Sequence, residues 1–189
     1  MDLKERILES TIRLFNEKGL KFTMDDIASD LSISKKTIYT VFKDKESLCT
    51  GVVDYVFDSI KQSENEVLNR NNPDTVSQLK ELLGVMPESY SHVDMRELYQ
   101  LKDKYPTVYD HLAKRLENGW EATIGLIEKG ISEGTIRPIS IPIFKTMMEA
   151  TLEQFFQRDV LHQNDISYQD ALKEVVDILV DGIRKEAHD

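Results

Sequence analysis

The chain has 189 residues, 40% of them apolar and 31% charged, with a formal net charge of −10, eight glycines, five prolines and one cysteine. That length fits one ordinary domain or a small head on a larger body, and abundant helix formers with so few breakers favour helices over a turn-rich β architecture. A single cysteine, Cys49, excludes an internal disulfide; no basic-then-apolar leader opens the chain and no stretch approaches the roughly 18 apolar residues of a membrane span, so a cytoplasmic address is expected.

From Leu3 to Lys18, residues Leu3, Ile7, Leu8, Ile12, Leu14 and Phe15 fall on one side of a helix, and Gly19 stops it. Thr23 caps a short second helix, with Asp26 in the reciprocal position and Met24, Ile27, Ala28 and Leu31 inward. Ser32-Ile33 makes a tight turn, and Ser34 caps a third helix with Ile38 and Phe42 inward. Asp44 caps a long fourth helix through Leu48, Val52, Tyr55, Val56 and Ile60. Cys49 lies in this apolar run and reads as a packed residue rather than a redox centre. Asn71-Asn72-Pro73 breaks the chain and Val76, Leu79, Leu83 and Met86 form the next stripe, ended by Pro87. Asp94 and Glu97 make a cap pair before a short helix. Tyr105-Pro106 then opens one long helix through Leu112, Leu116, Ile124, Ile127 and Ile131. A turn over residues 133–138 precedes two closing helices, over about 141–161 and 167–185. The expected fold class is all-α: an N-terminal three-helix head with a helix-turn-helix (residues 1–46), then a larger helical region (residues 47–189), with about nine helices.

Charge is unevenly spread. Residues 1–50 hold nine basic and nine acidic side chains, so the later residues carry the whole net charge. From Ser34 to Lys45 there are four lysines against one aspartate. One end of the chain can therefore approach a phosphate backbone that the other repels. The third helix has a narrow buried seam and a wide face of Lys35, Lys36, Thr37, Tyr39 and Thr40. Such a donor-rich face suits a major groove, although a lysine-rich helix face is also an ordinary solvated one. Lys45 adds charge at the next helix N-terminus, where backbone N–H groups favour anions.

The run Phe22-Thr23, Asp26-Ile27-Ala28, Ser34, Thr37-Ile38-Tyr39, Phe42, Lys45-Glu46 and Leu48 is similar to the TetR family of bacterial transcription regulators. Phe15 and Gly19 of the first helix fit as well, and the length, the Tyr105-Pro106 break, the Glu133-Gly134 turn with Arg137 and the two closing helices extend the resemblance more loosely. It departs at Ser32, where the family's turn usually holds a glycine; a left-handed serine costs on the order of 1 kcal/mol.

The resemblance implies a homodimeric, ligand-responsive regulator of double-stranded operator DNA, most simply a repressor. It implies Thr23 as cap and phosphate contact, with Ser34 opening the recognition helix. Lys35, Lys36 and Thr37 take the base-reading start, Tyr39 and Lys45 the phosphate clamps, and Thr40 the side that reaches backbone or a thymine methyl. The middle helices would enclose a small-molecule effector, with Phe57, Met86, Tyr90, Tyr99, Trp120 and Met147 as candidate walls, although each taken singly suits a core or dimer interface better. The last two helices would form the dimer interface through Met148, Leu152, Phe155, Leu172, Val175, Val176, Leu179 and Ile183.

An enzyme and a helical interaction module without DNA are the alternatives. Di-metal helical bundles need Glu-x-x-His pairs, and none of His92, His111, His162 or His188 has that glutamate. Phosphate-binding glycine loops and nucleophile motifs are also missing, so no catalytic residue, metal, cofactor or membrane partner is expected.

Overall fold

The computed structural model describes residues 2–70, 74–86, 97–98, 100–158 and 160–185. Among them it contains eleven α-helices: α1 (Leu3–Lys18), α2 (Met24–Asp30), α3 (Lys35–Tyr39), α4 (Lys45–Asn69), α5 (Thr75–Leu83), α6 (Leu101–Lys104), α7 (Pro106–Glu117), α8 (Glu121–Glu133), α9 (Ile141–Gln157), α10 (Val160–Gln163) and α11 (Tyr168–Ile183). The expected all-α class holds. The chain forms two compact units, Met1–Ser59 with Glu88–Arg115, and Ile60–Pro87 with Leu116–Asp189.

The first unit is built around Ile7, Leu8, Phe22, Ile27, Ile38, Leu48 and Val53, closed by Leu101, Val108 and Leu112 from α6 and α7. Its first helix begins with a cap that matches its neighbours: the Asp2 carboxylate accepts the Glu5 N–H, and the Glu5 carboxylate accepts the Asp2 N–H at 2.9 Å. Two orphan donors of the helix start are satisfied this way. Cys49 is buried, and burial pushes its thiol up to about 11, so it stays a packed neutral group.

In the second unit α5 packs on α8 and α11, and α9 on α11. Val76, Leu79, Leu126, Ile127, Phe144, Met148, Leu172, Val176 and Val180 are buried there. Lys80 on α5 pairs with Asp177 and Asp181 of α11, each at 2.8 Å. The turn after α8 returns to the end of α11: Ile136 and Arg184 form an isolated bridge, and the Arg137 guanidinium donates to Gly182 O at 3.1 Å. Arg137 thereby closes the C-terminal carbonyls of that helix.

Three expectations change. The long helix after Tyr105-Pro106 is two helices, because Gly119 at φ 84 takes a conformation that ends α7. The Lys145 ammonium caps the freed Glu117 carbonyl at 2.9 Å. The helix expected to run to residue 161 ends at Gln157, where Arg158 is extended, and a separate turn of helix follows. The apolar stripe of α5 stops at Leu83, so Met86 lies past the helix. The breaks at Asn71-Asn72-Pro73 and Pro87, and the Asp94 cap, lie outside the described residues.

Candidate DNA-binding site

The site is α2, the turn after it, and α3. Thr23 starts α2: its hydroxyl oxygen accepts the Asp26 N–H at 3.1 Å, and the Asp26 carboxylate accepts the Thr23 N–H at 2.8 Å. The Lys18 ammonium sits 2.7 Å from that carboxylate and, with the two Thr23 bonds, holds it down at about 2. The α1–α2 corner is thus pinned by a charged group that stays ionised.

The turn closes with Leu31 N–H on Ile27 O at 3.0 Å and Ile33 N–H on Ala28 O at 2.9 Å. Ser32 has φ 53, the left-handed conformation expected at the place where the family carries glycine. Ser34 then caps α3, its hydroxyl oxygen accepting Thr37 N–H at 3.1 Å. Ile38 and Phe42 point into the core, with Ile38 fully buried. That buried pair sets the roll of α3 and turns the rest of the helix to solvent.

The outward side chains differ in how free they are. Thr23 donates its hydroxyl proton to Asp26, Thr40 donates to Thr37 O at 2.6 Å, and the Ser34 and Thr37 hydroxyls share a proton at 2.8 Å. Lys35 is paired with Asp25 at 2.8 Å, which raises its pKa, mostly through that hydrogen bond. Among the described residues no hydrogen bond or ion pair holds the Lys36 ammonium or the Tyr39 hydroxyl, and Tyr39 is 47% exposed. Lys45 stands apart from the rest. Its ammonium donates to Leu20 O at 2.7 Å and to Phe22 O, and lies 3.9 Å from the centre of the Phe22 ring. The start of α4 is closed by its own Asp44, whose carboxylate accepts Ser47 N–H at 2.8 Å. The N-terminus of α4 is therefore partly occupied by an anion of the chain itself.

The other expected positions fall as follows. Met148, Leu172, Val176 and Ile183 are buried within one chain, which leaves little of them for a partner, while Leu152, Phe155, Val175 and Leu179 are half-buried. The large apolar side chains left outside on α9 and α11 are Ile143, Met147 and Ile178. Among the proposed pocket walls, Met147 is thus on the surface. Met86 and Trp120 are half-buried in the second unit, and Phe57 belongs to the first, with the Arg115 guanidinium 5.3 Å from its ring. Tyr90 and Tyr99 lie outside the described residues. Sequence reasoning assigned Glu97 to a cap pair with Asp94 and missed that it accepts the Leu20 N–H at 3.1 Å across 77 positions of chain, a distance at which no local pattern signals a contact.

Residues 7–51 match the family of bacterial regulatory proteins named for tetR, and these are the residues that build α1 to α3 and the start of α4. This N-terminal segment is thus a TetR-family DNA-binding helix-turn-helix domain, and the chain is a transcriptional regulator. Over 181 residues, 96% of this chain and 95% of the relative, it is 26% identical to the uncharacterized HTH-type transcriptional regulator YvaF of Bacillus subtilis. Over 71 residues, 37% of this chain and 38% of the relative, it is 34% identical to the biofilm operon icaADBC HTH-type negative transcriptional regulator IcaR of Staphylococcus aureus. A TetR transcription regulator from Haloarcula marismortui shares the fold with TM-score 0.76 at 18% identity, covering 96% of this chain and 98% of that one. The family and these relatives are regulators, not enzymes. Among the described residues no group of His, Cys, Asp and Glu is placed to hold a metal ion, and no helix is long and apolar enough to cross a membrane.

Proposed function

We propose that the protein is a cytoplasmic homodimeric repressor that leaves its operator when a small molecule binds. Residues 1–46 serve as the DNA-binding part, and residues 47–189 as the effector-binding and dimerisation part. The observation that carries the DNA-binding mode is the exposed face of α3, where, among the described residues, no hydrogen bond or ion pair holds the Lys36 ammonium or the Tyr39 hydroxyl while Ile38 fixes the roll of the helix. In this reading α3 enters the major groove. Lys36 and Thr37 read base edges, Tyr39 reaches a phosphate, and Thr23, Ser34, Lys35 and Thr40 contact backbone at the groove edge. Lys35 exchanges Asp25 for a phosphate on binding, a small cost for an exposed pair.

Two heads fit successive major grooves when their recognition helices lie about 34 Å apart. The proposed dimer face is Ile143 and Met147 of α9 with Ile178, Val175 and Leu179 of α11, since these keep apolar surface uncovered within one chain. The effector is proposed to lodge in the second unit beside Trp120 and Met86. The helix α4 is continuous from Lys45 to Asn69 and serves both units, so displacement at its far end reaches the head. Effector and DNA are then mutually antagonistic, with a coupling of about 1–3 kcal/mol. The name of IcaR as a negative regulator supports the repressing sense.

The test is anisotropy with an operator selected from a random duplex pool, read across a salt series. The reading predicts binding that falls steeply with salt and that is, at every salt concentration, tighter for the selected operator than for a mixed-sequence duplex. Equal affinity for selected and mixed-sequence DNA would remove the sequence-reading role.

A further inference from the structure

The residue Leu20 sits in the 3-10 turn Gly19–Lys21 that joins α1 to the start of the helix-turn-helix. Both of its backbone groups are held by charged side chains from elsewhere in the first unit. Its N–H donates to the Glu97 carboxylate at 3.1 Å, and its C=O accepts from the Lys45 ammonium at 2.7 Å. Gly19, at φ 57, leaves the room for this: a Cβ there would collide with the Glu97 carboxylate. The Glu97 carboxylate is fixed in turn by the Gln100 side-chain amide at 2.8 Å. Lys45 also donates to Phe22 O, directly before the Thr23 cap of α2, and its nitrogen lies over the Phe22 ring. Two carbonyls and a ring thus engage the ammonium inside the chain.

We infer that Lys45 is a positioning residue rather than a phosphate clamp: it ties the first turn of α4 to the strand of chain that launches α2, with Glu97 holding the same peptide from the other side. The inference rests on the DNA-binding reading above and deepens it. Three observations favour it over a clamp. The ammonium is half-buried, and desolvation lowers its pKa, as for a group committed inward. The N-terminus of α4 beside it is already capped by Asp44 and Ser47. Releasing Lys45 to a phosphate would leave the buried Phe22 and Leu20 with unpaired carbonyls. A compact ammonium on a flexible stem suits a site between two carbonyls and a ring.

The geometry predicts how the head depends on this tie. A clamp adds charge to the DNA interface, so its loss lowers the salt slope. A positioning residue adds order, so its loss weakens binding at constant slope. In Lys45→Met, which keeps the apolar stem, operator affinity falls about tenfold with an unchanged salt slope. In the free variant the Thr23 and Asp26 amides exchange hydrogen at least several-fold faster, whereas Lys36→Ala leaves them unchanged. The unmodified protein supplies a second measurement that needs no variant to fold: the Lys45 ammonium nitrogen resonance keeps its position when a mixed-sequence duplex is added. A slope reduced by about one unit per contacted phosphate, with amide exchange unaltered, overturns the proposal, as does a Lys45 resonance that moves on DNA addition. The exchange experiment is done without DNA, so it stands even if the protein binds no duplex, and that separate failure would fall on the function proposed above.

Discussion

The first unit closes the starts of α1, α2 and α3 with its own side chains, Asp2, Thr23 and Ser34, whereas in the second unit Asp74 and Ser167 cap α5 and α11 but α8 and α9 begin with no side-chain cap. Apart from Tyr39 on α3, the first unit also spends its large apolar residues on its own core, while the second leaves Ile143 at 60%, Met147 at 50% and Ile178 at 63% exposed. A head that must present α3 at a fixed angle needs its short helices pinned locally, because seven- and five-residue helices have little stability of their own. A surface that pairs with a second copy gains its burial on association instead. Under the proposed function, the difference separates a part that meets DNA as a preformed shape from a part whose apolar surface is left for a second copy.

Substitutions in each unit test this contrast. Leu48 is fully buried beneath α3, so Leu48→Ala should cost about 2–5 kcal/mol and unfold the head first, read as lost protection in α1–α3 ahead of α11. Ile178→Glu should leave each chain folded and weaken the dimer by at least about 2 kcal/mol, read as a halved mass by light scattering at micromolar protein. A dimer that survives this change would place the interface elsewhere. Thr23→Ala removes the α2 cap and should cost about 1 kcal/mol by denaturant melting.

The same corner gives a pH dependence. The folded pKa of Asp26 is about 2, below its unfolded value of 3.8. Its contribution is therefore fully present above pH 4 and is lost as pH falls through about 2. Asp26→Asn should flatten that part of the acid-unfolding curve. The smallest effect is expected at Ser32. Its φ of 53 disfavours serine, and glycine's greater unfolded-state freedom offsets most of the relief, so Ser32→Gly should gain at most about 0.5 kcal/mol.

The head was legible in the sequence because its signals are local. The Thr23–Asp26 cap, the Ser34 cap and the inward pair Ile38 and Phe42 each lie within four residues, and all stand as expected. Even the left-handed Ser32 was readable, since the turn requires it. The body was legible as helices but not in their limits. An apolar stripe continues through Leu116 and Ile124 whether or not the backbone breaks at Gly119, so periodicity ran across a real stop. The stripe of α11 likewise reveals its apolar face but not which neighbour covers it: Leu172, Val176 and Ile183 are covered by the chain itself, and Ile178 is not. The tether at Lys45 was hidden for a different reason. A lysine at a helix start reads as solvated, and only the fold brings the Leu20 and Phe22 carbonyls to it across 25 and 23 positions.

Contact of the outward face of α3 with DNA is read out by the operator affinity of Lys36→Glu at fixed salt, with the helical fold checked by circular dichroism. Lys36 is exposed and, among the described residues, no hydrogen bond or ion pair holds its ammonium, so its loss leaves the fold intact. The affinity is expected to fall about a hundredfold or more, since the change reverses a charge at both heads of the proposed dimer. Undiminished affinity in a correctly folded Lys36→Glu protein would contradict it.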